Sequence, residues 1–110
     1  MLERMIILAQ GMNKRFPKGN VPYEITTRIL EECGEVASEV NHFESSGTKN
    51  QRHGEPSKEK LASEIKDAMT ALMQLTLYYG VEKELNDAIE KSIQSLSREG
   101  YIVDEGVYDE

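Results

Sequence analysis

The chain has no tryptophan and a single cysteine, Cys33. One cysteine excludes an internal disulfide, so stability must come from packing or assembly. Without tryptophan, no convincing aromatic clamp for a flat ligand stands out. Tyr78 and Tyr79 are the nearest alternative, and their position in an apolar helical stripe fits core packing better. No apolar run is long enough to span a membrane. Met5 to Ala9 is the longest near the N-terminus, and its flanks do not suit a signal peptide. Almost nothing alternates with period two, which argues against sheets. There are no internal repeats. No GxxxxGK[ST] occurs, so the backbone phosphate cradle that such a loop builds is missing. Positive charge is not gathered in one place, and the net charge is −7. Such a surface repels phosphate backbones, which speaks against nucleic acid as a partner. These features predict a soluble cytoplasmic protein with no membrane partner.

What remains is a helical pattern over 110 residues, the size of one domain. Apolar residues make up 38% of it, enough for one core. A chain this small is marginal alone, which favours a homo-oligomer. In the first segment, Leu2 to Phe16, residues Met5, Leu8, Ala9, Met12 and Phe16 fall at helical spacing. Phe16-Pro17-Lys18-Gly19-Asn20 ends it. Pro22 suits the first turn of a second helix, which runs to about Phe43. Ile25, Ile29, Cys33, Val36, Val40 and Phe43 form its stripe, with Cys33 read as a small core residue. Residues 45–56 are polar and carry two glycines, which reads as a loop. Lys49, Arg52 and His53 within it are either solvated or part of a lid.

Ser57 is placed as N-cap of a third helix, and Gly80 where a C′ glycine belongs. Leu61, Ile65, Ala68, Met69, Leu72, Leu75 and Tyr79 mark its stripe. A fourth helix follows from about Glu82 to Ser97, with Leu85, Ala88, Ile89, Ser92 and Leu96 inward. Residues 101–110 are a short acidic tail. The fold class is therefore all-α, a four-helix bundle-like domain over residues 1–110, completed by oligomerisation.

The acids are not spread at random around these helices. At about 100° per residue, Glu35 lies roughly 60° from Glu32 on the second helix. Asp67 lies roughly 60° from Glu64 on the third, in the same sense. In both helices the apolar stripe lies on the other side, by roughly 50–70°. Two helices packed through their stripes bring the four carboxylates together. Converging carboxylates repel, and a divalent cation removes that cost. Oxygen-only ligands favour Mg²⁺, Mn²⁺ or Ca²⁺ over zinc, and Mg²⁺ commonly shares its shell with substrate phosphates. Against this stands the ordinary case, in which such i,i+3 acid pairs simply face water.

Glu31-Glu32-Cys33-Gly34-Glu35 and Glu64-Ile65-Lys66-Asp67 resemble the EExxE…ExxD signature of the MazG-like, all-α NTP pyrophosphohydrolases. Arg15-Phe16-Pro17 and Gly80-Val81-Glu82 resemble the family's flanks, and the likeness covers roughly Met12 to Tyr101. It implies a MazG-type fold, with Mg²⁺ (or Mn²⁺ in its place) held by Glu32, Glu35, Glu64 and Asp67. Glu31 becomes a supporting acid, so the implied catalytic set is Glu31, Glu32 and Glu35. The implied substrate is a nucleoside triphosphate, cleaved by water at the α-phosphorus to monophosphate and pyrophosphate. Apart from the resemblance, the apolar arc Met5, Ile6, Ile7 and Leu8 on the first helix predicts a homodimer or homotetramer. Lys91, Ser95 and Arg98, with Gly100-Tyr101 after them, resemble a KxxxN…R…GY pattern of dUTP-hydrolysing relatives. Ser95 stands where asparagine is usual. Lys91 and Arg98 are read either as phosphate-binding cations or as cations favoured by a helix C-terminus.

Two rivals remain. Glu39-Val40-Asn41-His42 is a Glu-x-x-His, but a ferritin-like di-metal bundle wants two such motifs; His53 is preceded three residues earlier by Asn50, so one chain fails, though a symmetric dimer could supply two copies. The other rival is a helical interaction module on the same fold that performs no turnover.

Overall fold

The computed structural model describes residues 1–44 and 54–103. Within them lie four α-helices and no strand: α1 (Leu2–Arg15), α2 (Pro22–Phe43), α3 (Lys58–Tyr79) and α4 (Glu82–Arg98). Most of the expected loop and tail, residues 45–53 and 104–110, fall outside the described residues, as do Lys49, Arg52 and His53.

Local chemistry sets the helix ends. Pro22 opens α2 with its fixed φ, and the Glu24 carboxylate accepts the Val21 N–H at 3.4 Å. Ser57 caps α3, its Oγ accepting the Lys60 N–H at 3.1 Å. Gly80 ends α3 at φ +65°, a left-handed conformation that glycine adopts without steric cost. Between α1 and α2, Asn20 Nδ2 donates to the Phe16 carbonyl at 2.9 Å and closes the turn.

α3 is the centre of the structure. α2 packs along it, α1 packs on it as well, and α4 meets only α3. That is why α3 buries residues on a wide arc: Glu64, Ala68, Thr70, Ala71, Met73 and Gln74. Ala68 and Ala71 are small enough to admit a neighbouring helix closely. Ala9 of α1 and Ile25 of α2 complete the buried apolar set.

The expected stripes are only partly covered. Cys33 is exposed rather than packed in a core, and so are Val40 and Ile65. Tyr79 is 60% exposed and Leu72 50% exposed. α4 buries none of its residues, and Ile89 and Leu96 lie open. The physical reason is the position of α4. It does not close over α1 and α2 as the fourth member of a bundle, so the stripe it shares with α3 becomes a groove. Leu2, Met69, Leu72, Tyr79, Leu85 and Ile89 line this groove of about 720 Å³. No helix among the described residues is long and apolar enough to cross a membrane.

Candidate metal centre

Packing α2 against α3 brings together one acid from the first helix and two from the second. Carboxylate oxygens of Glu32, Glu64 and Asp67 lie within 4.8 Å of one another. Glu64 is buried, while Glu32 and Asp67 are half-buried. Glu31 and Glu35 are exposed on α2 and stand outside this trio. Glu35 lies further round the helix from the apolar stripe than Glu32 does, which carries its side chain toward solvent. Its charge still reaches the site.

That charge is visible in Glu32. Burial pushes its pKa up, and the charges of Asp67, Glu64, Glu35 and Glu31 push it further in the same direction. Two of the three acids have cationic neighbours. Lys60 Nζ lies 3.3 Å from Glu64, and Lys66 Nζ lies 2.6 Å from Asp67. Both lysines are more than half exposed, so the Lys66–Asp67 pair is solvated and weak, while Lys60 meets the buried carboxylate of Glu64. Glu32 has no ion pair among the described residues. The cluster thus keeps an excess of negative charge, with two lysines beside it. Three converging carboxylates on two helices could hold a metal ion.

Glu32 and Asp67 also form one end of a cleft of about 310 Å³ between α1, α2 and α3. Leu8, Met12, Phe16 and Ala71 give it apolar walls. Lys18, Asn20, Arg28, Lys66, Thr70 and Gln74 supply its polar atoms. Arg28 is fixed at the end away from the acids. It donates to the Gly19 carbonyl at 3.0 Å, to Asn20 Oδ1 at 3.2 Å and to Gln74 Oε1 at 3.1 Å. Gln74 in turn donates to Asn13 Oδ1 at 2.9 Å, so one chain of hydrogen bonds ties α1, the 16–20 turn, α2 and α3. Gly19 sits at φ +81° with Arg28 beside it, which a side-chain-bearing residue would adopt only under strain.

Sequence reasoning did not single out Arg28, Asn20 or Gln74. The available signal was the i,i+4 spacing of Arg28 and Glu32, which puts both on one flank of α2. The partners on the turn and on α3 had no local signal at all.

The expected substrate residues lie elsewhere in the chain. Lys91 and Arg98 are exposed on α4 and Ser95 is half-buried there, and none of the three lines the cleft. Tyr78 and Tyr79 make an edge-on pair with ring centroids 5.3 Å apart, exposed rather than packed in the core, and neither lines the cleft. The ring that does line it is Phe16, with the Arg15 guanidinium 4.7 Å from its centroid.

Glu39 and His42 are buried, His42 Nδ1 being 4.0 Å from Glu39 Oε1. The other ring nitrogen of His42 bonds the Gly54 carbonyl, so the imidazole ties α2 to the segment leading into α3. Neither residue joins a metal-ligand group among the described residues. This arrangement gives no support to a ferritin-like site. Comparison of the chain with known protein families, curated proteins and solved structures found no match.

Proposed function

We propose that this protein is a Mg²⁺-dependent nucleoside-triphosphate pyrophosphohydrolase. The observation that carries this reading is the convergence of Glu32, Glu64 and Asp67, of which Glu32 and Asp67 line a cleft of about 310 Å³. An all-oxygen site for a hard divalent cation, beside a cleft with apolar walls, suits a substrate that is polyphosphate at one end and a flat ring at the other. The resemblance of Glu31 to Glu35 and Glu64 to Asp67 to the MazG-like signature points to the same chemistry.

In this reading Glu32, Glu64 and Asp67 hold the cation, exposed Glu35 adds its charge beside them, and Mn²⁺ can replace Mg²⁺. Bound there, the cation offsets charge on the triphosphate and lowers the pKa of the attacking water. Exposed Glu31 adjoins Glu32 and supports it. Water gives a proton to bulk solvent as its oxygen bonds to the α-phosphorus, the bond to the bridging oxygen breaks, and its electron pair leaves with pyrophosphate. Nucleoside monophosphate is the second product. Apolar surface on α3 and α4 is covered by a second copy in a homodimer or homotetramer, an assembly that can also bring Lys91, Ser95 and Arg98 to a neighbour's cleft.

The test is hydrolysis of a panel of NTPs and dNTPs with Mg²⁺ in ¹⁸O-labelled water. Label in the monophosphate, and arrest of the reaction by EDTA, support the proposal. Label only in pyrophosphate or orthophosphate overturns attack at the α-phosphorus. No turnover of any nucleotide favours the interaction-module reading.

A further inference from the structure

The cleft has two chemically different ends, and the one away from the acids is unusually well defined. Gln74 is buried and Arg28 half-buried. Arg28 has no ion pair among the described residues, so its charge faces the cleft with only carbonyl partners. Three of its five N–H groups are engaged, which leaves two. The amide oxygens of Asn20 and Gln74 are both occupied by Arg28, while their amide nitrogens are held by the Phe16 carbonyl and by Asn13. The amides therefore cannot turn without breaking two bonds each. The strongest group this end offers a ligand is the Arg28 cation with its two remaining N–H donors.

Its walls are apolar: Leu8 and Met12 of α1, Ala71 of α3, and the Phe16 ring. A phosphate gains nothing from such walls, whereas an aromatic ring does. Position adds a third constraint. Gln74 is seven residues beyond Asp67 on α3, roughly 10 Å along the helix, and Arg28 is four residues before Glu32 on α2, roughly 6 Å. These separations match the reach of a nucleoside 5′-phosphate whose phosphate sits at the acids.

We propose that the Arg28 end of the cleft is a nucleobase subsite selective for bases with a keto edge. The ring lies against Phe16, Met12 and Ala71, and its carbonyl oxygen accepts from the guanidinium. Uracil, thymine and guanine present such an acceptor, while cytosine and adenine present an amino donor at the matching position. An amino group there meets a fixed cation and leaves the Arg28 donors unpaired, and sites built this way reject the wrong ligand strongly. This inference rests on the hydrolase reading for its ligand class, and it adds the base preference.

Calorimetric titration with UMP, GMP, CMP, AMP and inorganic pyrophosphate, each with Mn²⁺, separates the possibilities. Monophosphates are products and do not turn over. UMP or GMP is expected to bind about tenfold or more tighter than CMP and AMP. Arg28→Lys keeps the charge but loses the planar fork, and is expected to bring the keto and amino monophosphates within about threefold of one another. Mn²⁺ and pyrophosphate affinities of this variant should match the wild type, while it should melt lower, because lysine cannot keep all three Arg28 hydrogen bonds. Equal binding of the four monophosphates by the wild type overturns the inference, as does selectivity that survives Arg28→Lys. A loss of pyrophosphate affinity as large as the loss for UMP also overturns it, and makes Arg28 a phosphate anchor instead. Triphosphate turnover without base preference sinks the subsite and leaves the hydrolase reading standing. Mn²⁺ binding with no nucleotide binding or turnover sinks both.

Discussion

Replacing Glu32 by glutamine should make the metal-free protein more stable and the metal-loaded protein less so. The side chain keeps its shape and loses one charge. That charge lies within 4.8 Å of carboxylate oxygens on both Glu64 and Asp67. At this separation a like-charge pair costs about 1 kcal/mol in water-like surroundings and about 3–4 kcal/mol at an effective dielectric of 20. Glu32 and Asp67 are partly solvated, and the adjacent lysines soften the repulsion, so the lower figure applies. Relief of both pairs then amounts to about 1–2 kcal/mol, which raises Tm by about 5 °C or somewhat more for a domain of this size. High salt should shrink the gain, because a partly exposed cluster is screened.

The pH dependence has a definite sign. Glu32 holds its proton to higher pH in the folded chain than in the unfolded one, because burial and the neighbouring acids raise its pKa. Protonation therefore favours folding. The stability cost of its charge is absent below the unfolded pKa and grows as pH rises through the raised folded value. The advantage of Glu32→Gln should accordingly vanish at acid pH and be full at neutral pH. Cation binding reverses the order. A cation at 100 times its dissociation constant stabilises the wild type by about 2.7 kcal/mol, a gain that the variant loses in large part. Melting by circular dichroism, in EDTA and in Mn²⁺, at acid and neutral pH, reads all of this. A variant less stable than the wild type in EDTA at neutral pH, or one with an undiminished Mn²⁺ shift, would refute the argument.

Removing the Ser57 cap with Ser57→Ala should cost about 1 kcal/mol, read as a lower urea midpoint with unchanged slope. Gly80→Ala places a side chain at φ +65° and should cost about 1 kcal/mol by the same measurement. Leu72→Lys, at a residue 50% exposed in the groove between α3 and α4, should shift sedimentation from an oligomer toward monomer. A wild type that sediments only as a monomer at micromolar concentration would remove the second copy from the proposal.

The order and extent of the helices were legible in the sequence, because their signals are local. Pro22, Ser57 and Gly80 each act within one turn of chain, and the three-and-four spacing of apolar residues needs no knowledge of a partner. The acids were legible for the same reason. The pairs Glu32/Glu35 and Glu64/Asp67 have azimuths that follow from 3.6 residues per turn; Glu32, Glu64 and Asp67 lie together, while Glu35 stands outside that trio.

What the sequence alone could not decide was which helix meets which. An apolar stripe states that a face is to be covered and leaves open what covers it. The stripe of α4 reads like that of α2, yet α2 lies along α3 and α4 touches only α3. Cys33 and Val40 sit at stripe positions and are exposed, since α3 covers only part of that face. The Arg28 end of the cleft depends even more on tertiary structure. Arg28 and Gln74 are 46 residues apart in sequence, and Gln74 and Asn13 are 61 apart. No local rule connects such pairs, because a hydrogen bond needs its partners near in space and is indifferent to their separation along the chain. Sequence determined the helices and the acids on their flanks. Only the packing of α1 and α2 against α3 made a cleft beside those acids and fixed a guanidinium at its far end.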